Sequence, residues 1–342
     1  MHSSNSRFIL PLVVVFVLPA TSCSARRGVG AASASADQAE ANTAPTPVPR
    51  LDPQEFLCTL TGGPANPERV SPTSGRRYTP EERTQARALI ASELQCLGLV
   101  ASEHHYIWTA ADRQWLSWEY LQSGYGNSGI NLLAELPATI PSNQWVVMGA
   151  HYDTVDTSPG ADDNASGVTA VLLAAEQLVT LETRRVNVLF AFFDQEEEGL
   201  IGSHALVRQI VADQRQVITA HIIDMVGWDT DDDRVVELAH CNMPAAANDV
   251  MMRLYEQAAI RLSRDNPNGL TANGIVRTES CRSDHVYFSE NGIPAAQLGE
   301  EFSGNDVTPY YHRPQDTCDT LDYDFLRVVA ALVVEAVTEQ LR

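Results

Sequence analysis

An apolar run at 145–148 breaks into Gly149-Ala150-His151-Tyr152-Asp153, and the chain soon continues Gly160-Ala161-Asp162-Asp163-Asn164-Ala165-Ser166-Gly167. The run reads as a buried strand. That places His151 and Asp153 at its carboxyl end and Asp163 in the loop beyond. In open α/β sheets, ligands collect at the carboxyl edge of the strands. A histidine and carboxylates meeting there suit a borderline metal such as zinc better than they suit a packed core.

Four further segments put an acid or an imidazole at the end of an expected element, where rigid scaffolds carry chemistry. The run 186–193 enters Asp194-Gln195-Glu196-Glu197-Glu198-Gly199 and then Gly202-Ser203. His221-Ile222-Ile223 ends in Asp224. Ser283-Asp284-His285 precedes Val286-Tyr287-Phe288, and Tyr310-Tyr311-His312 stands just before the last expected helix. The residues alone leave alternatives open. Asp162 competes with Asp163 as a ligand, the acids at 194–198 also read as a solvated loop, and Asp224 also reads as a strand-end cap. H-E-x-x-H, a C-x-x-C pair and the G-x-S-x-G elbow are all absent from the sequence, which removes rival hydrolase motifs.

In order and spacing these segments resemble the co-catalytic two-zinc aminopeptidases of metallopeptidase clan MH, over about 51–342. The resemblance implies an α/β fold: a three-layer α/β/α sandwich around a mixed, mainly parallel sheet of about eight strands. It implies two zinc ions per chain. His151 matches the imidazole ligand of one and His312 that of the other. Asp163 matches the carboxylate bridging them, with Glu197 and Asp224 as the remaining ligands. Glu196 matches the general base, in the pattern E-E-x-G-x-x-G-S, and Asp153 the acid that orients His151. Asp284 and His285 are expected to be supporting structure. His104, His105, His204, His221 and His240 have no partner spacing and are expected to be surface or hydrogen-bonded histidines.

The reaction implied is hydrolysis of the first peptide bond of peptides with a free amino terminus. Aromatics at Tyr287-Phe288, Phe302 and Tyr310-Tyr311 suggest an apolar pocket and a leucine-like preference, although such positions also suit a core. Rival readings are a glutaminyl-peptide cyclase working with one zinc, a carboxypeptidase of the same clan, and a catalytically silent binding protein. The full set of matching ligands and base favours the peptidase.

Ahead of this region, Arg7 and the apolar run 8–20 resemble a signal peptide, too short to span a bilayer comfortably. It ends in Pro19-Ala20-Thr21-Ser22-Cys23, so residues 1–23 read as an export signal. Either Cys23 is lipidated and anchors the protein to a membrane, or the protein is freely secreted, extracellular or periplasmic. Residues 24–50, rich in Ala, Ser, Thr and Pro, read as a disordered tether, and 51–342 as one catalytic domain. The formal charge of −21 argues against nucleic acid and anionic membranes as partners. A monomer is expected. The acids at 229–233 read as a solvated loop, with calcium binding as the alternative.

Six cysteines are consistent with an oxidising compartment. Cys58 with Cys96 is the expected bridge, while the pairing among Cys241, Cys281 and Cys318 stays open. The coarse element order is a helix at 80–97, strands at 106–109, 115–120, 131–135 and 145–148, a helix at 167–181, and a strand at 186–193. A helix at 202–211, strands at 221–225 and 235–239, and helices at 247–262 and 323–341 complete it.

Overall fold

Every residue of Asn187–Phe193 is buried. Alternate side chains point to opposite faces of a strand, so a fully buried strand needs cover on both faces. Here Val188, Phe190 and Phe192 enter one core cluster, and Leu189, Ala191 and Phe193 another. The protein is therefore three layers deep at this strand. The structure is a computed structural model that describes residues 51–63, 75–108, 128–242, 244–265, 270–304 and 306–342. The expected strand at 115–120, the signal segment and the tether lie outside the described residues.

In chain order the elements are α1 (Pro53–Leu60), α2 (Pro80–Cys96), β1 (Ala101–Ile107), β2 (Ser128–Leu136), β3 (Gln144–His151), α3 (Gly167–Leu178), β4 (Asn187–Phe193), α4 (Ile201–Ala212), β5 (Gln216–Ile223), β6 (Val236–His240), α5 (Ala245–Asp265), β7 (Ile275–Glu279), α6 (His285–Glu290), β8 (Ala295–Gly299) and α7 (Tyr323–Leu341). The strands form one eight-stranded sheet, β1-β2-β4-β3-β5-β8-β6-β7. β4, β3, β5 and β8 run parallel in succession, whereas β1, β2 and the β6–β8 pair contribute antiparallel contacts. This is the mixed, mainly parallel sandwich expected.

One core cluster gathers α1, α2, α3, α5 and α7 on one face of the sheet; the other gathers α4 and α6 on the opposite face. Local signals start the long helices. Thr79 and Glu82 form a capping box ahead of α2, with Pro80 at the first helical position. Asp322 accepts from the N–H groups of Asp324 and Phe325 at 2.8 Å to start α7. Among the described residues no helix is long and apolar enough to cross a membrane.

One expected disulfide is corrected and the pairing left open is resolved. Cys58 pairs with Cys318, not Cys96, and Cys241 pairs with Cys281. The reason is packing: α1 lies beside the turn that leads into α7, which brings the first pair of Cα atoms within 5.2 Å. β8 carried no signal of its own, because Ala295-Ala296-Gln297 has neither β-branched residues nor alternation. It is nevertheless interior, placed between β5 and β6 by burial on both faces.

Candidate active site

β4, β3 and β5 are parallel neighbours, so their carboxyl ends open on the same edge. His151 is the last residue of β3, Glu196 and Glu197 lie in the turn after β4, and Asp224 directly follows β5. Asp163 comes from the loop after β3 and His312 from the loop before α7. The structure brings all of them together. His151 Nε2 lies 3.2 Å from Asp163 Oδ1 and 3.4 Å from Asp224 Oδ1. His312 Nε2 lies 3.1 Å from Asp163 Oδ2 and 3.0 Å from Glu197 Oε2. Asp163 thus turns one oxygen to each histidine.

The choice between Asp162 and Asp163 is made by the neighbours. Asp162 Oδ1 accepts the N–H of Gly227 at 2.8 Å, Asn164 Oδ1 that of Met225 at 3.2 Å, and Ser166 Oγ that of Val226 at 3.0 Å. Asn164 Nδ2 also donates to the carbonyl of Ile223 at 3.0 Å. Residues 162, 164 and 166 therefore clamp the loop onto the end of β5, while Asp163 faces the histidines. Asp316 holds the other side, accepting from the N–H groups of Asp162 at 2.8 Å and Asp163 at 3.2 Å.

Asp153 links two elements. Its Oδ1 lies 3.5 Å from His151 Nδ1, and its two oxygens accept the N–H groups of Glu196 at 3.1 Å and Glu197 at 3.3 Å. It thereby aims the imidazole and fixes the glutamate turn together. That turn needs its glycines. Gly199 has φ +117°, and a Cβ at Gly202 would sit 2.2 Å from the carbonyl oxygen of Asp194. Gln195, Met225 and His312 hold positive φ values, each at or beside one of these side chains; such backbone is kept only where its surroundings determine it.

The acid cluster at 194–198 divides by role. Asp194 forms a buried ion pair with Arg83 at 2.9 Å and so belongs to the framework. Glu198 lies apart from the two histidines. Glu196 and Glu197 line a cavity of about 440 Å³ together with His151, Asp163 and Asp224. Burial pushes the Glu196 carboxyl well up, opposed by His151 and reinforced by Glu197, Asp224 and Asp284. Burial also lifts Glu197 to about 7. Burial alone would push His151 and His312 down, yet the surrounding carboxylates prevail: His151 rises well above its ordinary value and His312 to about 10.

Metal ions fit this donor set. His151, Asp163 and Asp224 offer ligand atoms within 4.8 Å of one another, and so do Asp163, Glu197 and His312. Glu197 Oε1 is buried without a hydrogen bond, and so is His312 Nε2 despite the carboxylate oxygens at 3.0 and 3.1 Å. Polar atoms buried without hydrogen bonds are costly; atoms converging on a common point are satisfied when a cation occupies it. Each group has three protein ligands of the imidazole and carboxylate types, the number that leaves a zinc position open for chemistry.

Other expectations resolve as follows. Asp284 and His285 are buried beside the site, and His285 Nε2 hydrogen-bonds the carbonyl of Ser280 at 2.9 Å. His104, His105, His204 and His221 all engage neighbours: Asn131, Glu103, Tyr287 and Tyr255 in turn. Tyr287 and Phe288 are core residues against His204 and Phe193 and do not line the cavity. Tyr310 packs edge-on to Trp228, leaving Phe302 and Tyr311 as the aromatics that line it. In the 229–233 loop, Asp229 pairs with Arg234, and the nearby Asp306 accepts from Trp228, Thr230 and Asp231.

Sequence reasoning missed Arg77. It is fully buried and donates to the carbonyls of Tyr152, Gly75, Pro159 and Gly160, which splints the segment from His151 to Asp163. Asp316 was missed as well. Both act on backbone groups far away in sequence, so no local pattern announces them.

The model of peptidase family M28 matches residues 131–337. Aminopeptidase YwaD of Bacillus subtilis is 29% identical over 208 residues, covering 60% of this chain and 43% of that protein. A probable leucine aminopeptidase of Arthroderma benhamiae is 30% identical over 219 residues, covering 59% and 56%. The chain spans about half the length of the curated relatives it matches. A solved zinc aminopeptidase from Bacillus subtilis has a TM-score of 0.67 at 18% identity, over 85% of this chain and 95% of that one. A glutaminyl cyclase from Porphyromonas gingivalis has a TM-score of 0.64 at 18% identity, over 85% and 99%. At those identities the likeness is one of fold. The family match, in contrast, covers more than half of the sequence and takes in both histidines, the three acids between them, and the turn that holds Glu196: the chain belongs to peptidase family M28.

Proposed function

We propose that this chain is an exported zinc aminopeptidase that hydrolyses the peptide bond after a free amino-terminal residue, with two ions sharing Asp163. The observation that carries the reading is the pair of three-ligand groups with one carboxylate in common. His151 and Asp224 would hold one ion and Glu197 and His312 the other. When bound, the ions would supply Lewis-acid polarisation of the scissile carbonyl and a lowered pKa for the attacking water.

Glu196 is the general base. Burial raises its proton affinity, so it takes the proton from the attacking water and passes it to the leaving amine. Asp153 keeps the Glu196 backbone and the His151 ring in register through the contacts described above. The acid-lined cavity favours the substrate's ammonium group and disfavours a terminal carboxylate, which supports exopeptidase action from the amino end. Export is supported by the Cys58–Cys318 and Cys241–Cys281 disulfides among the described residues, since such bonds persist in oxidising compartments.

The test is hydrolysis of aminoacyl-nitroanilides with and without a chelator, set beside their N-acetylated forms. Turnover of the free amines alone, lost on chelation and restored by zinc, is expected. Activity that survives chelation, or equal turnover of the acetylated substrates, would overturn the reading.

A further inference from the structure

Below the metal-ligand cluster, the cavity is paved by one face of the sheet at its β8-β6-β7 edge. Side chains on β6 alternate. Val236 and Leu238 enter the apolar core, and Glu237 and Ala239 face the cavity. Across the ladders Ala239 is opposite Gln297 on β8 and Thr278 on β7, so these side chains share the cavity face. Glu237 and Gln297 are diagonal neighbours, within reach of one bound group.

Both are buried, at 2% and 6% exposure. Glu237 Oε1 accepts the N–H of Ser303 at 2.6 Å and the Ser303 hydroxyl. Its Oε2 takes no hydrogen bond from any described residue, and neither does the Gln297 amide. Neither is among the atoms sealed from solvent without a partner, so both open into the cavity they line. No described arginine forms an ion pair with Glu237, so its second carboxylate oxygen is left as an acceptor for a cation entering the cavity. Exposed Glu279 and Arg282, of opposite charge, also line the cavity. Met225, Phe302 and Val307 give the same cavity apolar lining.

We infer that the cavity binds the side chain of the substrate's amino-terminal residue and that Glu237, with Gln297, selects a basic one, lysine or arginine. The aliphatic stem lies along the apolar walls, and the cationic tip donates to Glu237 Oε2 and the Gln297 carbonyl. This rests on the aminopeptidase reading, and it places the side-chain preference on Glu237 rather than on Tyr287, Phe288 and Tyr310, which pack elsewhere.

The test is kcat/KM of the zinc-loaded protein on lysyl, arginyl, norleucyl and leucyl nitroanilides, norleucine matching the lysine stem without its charge. The expected lysyl-to-norleucyl ratio is at least about 10, and Glu237→Gln lowers it by about 10–100-fold, the scale of one charged hydrogen bond. Glutamine retains an acceptor for Ser303, and Gln297→Leu, which leaves that contact alone, shifts the ratio the same way. A wild-type ratio at or below one, or a ratio unmoved by either variant, overturns the proposal. Absence of turnover on the whole panel contradicts the aminopeptidase reading instead. The pocket is then read by calorimetry of lysinamide against norleucinamide on zinc-loaded protein. Tighter lysinamide supports the assignment; equal or tighter norleucinamide refutes it.

Discussion

Two adjacent glutamates, Glu196 and Glu197, diverge from a single turn, Glu196 Oε2 lying 3.9 Å from His151 Nε2 and Glu197 Oε2 3.0 Å from His312 Nε2. Asp153 makes this possible by accepting both of their backbone N–H groups. Glu196→Ala should keep its zinc and lose turnover by about 10²–10⁴-fold, the range for a general base; steady-state kinetics beside elemental analysis reads both. His312→Ala should instead lose zinc, and unchanged stoichiometry would remove it from the ligand set. Asp153→Asn should weaken zinc affinity or activity by about 10–100-fold, as for partners that orient a ligand. His151, Glu197 and Asp224 were legible because each ends or soon follows an apolar run that reads as a strand, whereas Asp163 and His312 lie in loops and were legible only through the resemblance. Arg77, Asp316 and Glu237 were not, since their partners lie on other strands and loops. Glu237 in particular looks like the polar residue of an alternating strand, and only the neighbouring β8 turns its face into a cavity floor.

At the level of elements, legibility followed burial pattern. β4 was readable from six successive apolar residues, 188–193, and the last helix from the apolar period of 323–341; β8 became a strand only because β5 and β6 flank it. The Cys58–Cys318 bridge joins α1 to the turn before α7 across 260 residues of sequence, and Asp316 lies two residues from Cys318. Replacing both cysteines by alanine should lower stability by about 2–5 kcal/mol and loosen zinc, through the Asp316 contacts to the Asp163 loop. Denaturant unfolding and zinc release into a chromogenic chelator measure the two effects. Stability lost with zinc affinity intact would separate the bridge from the site.

For the whole molecule, the charge of −21 is partly concentrated in one acidic centre, which makes the metal-free state sensitive to pH. Burial holds Glu197, Asp284 and Asp316 up at about 7, and His312 stands at about 10. A group raised in the folded state contributes stability below its unfolded value and loses it as pH rises through the folded one. Buried His104, His221 and His285 are pushed down to between about 3 and 4 and act oppositely, but only below their ordinary 6.5. Above that value the first set stands alone. Chelated protein should therefore lose thermal stability from about pH 6.5 to 9, and zinc should reverse the trend by supplying the missing positive charge. A chelated Tm that stays level or rises over that range would contradict this.

Calorimetric titration of zinc into chelated protein, wild type beside Asp163→Ala, bears most directly on the shared carboxylate. Two ions per wild-type chain, with both sites weakened together by the single substitution, is the expected result. One ion per chain, or a variant that keeps two tight sites, would contradict a centre in which Asp163 joins both metals.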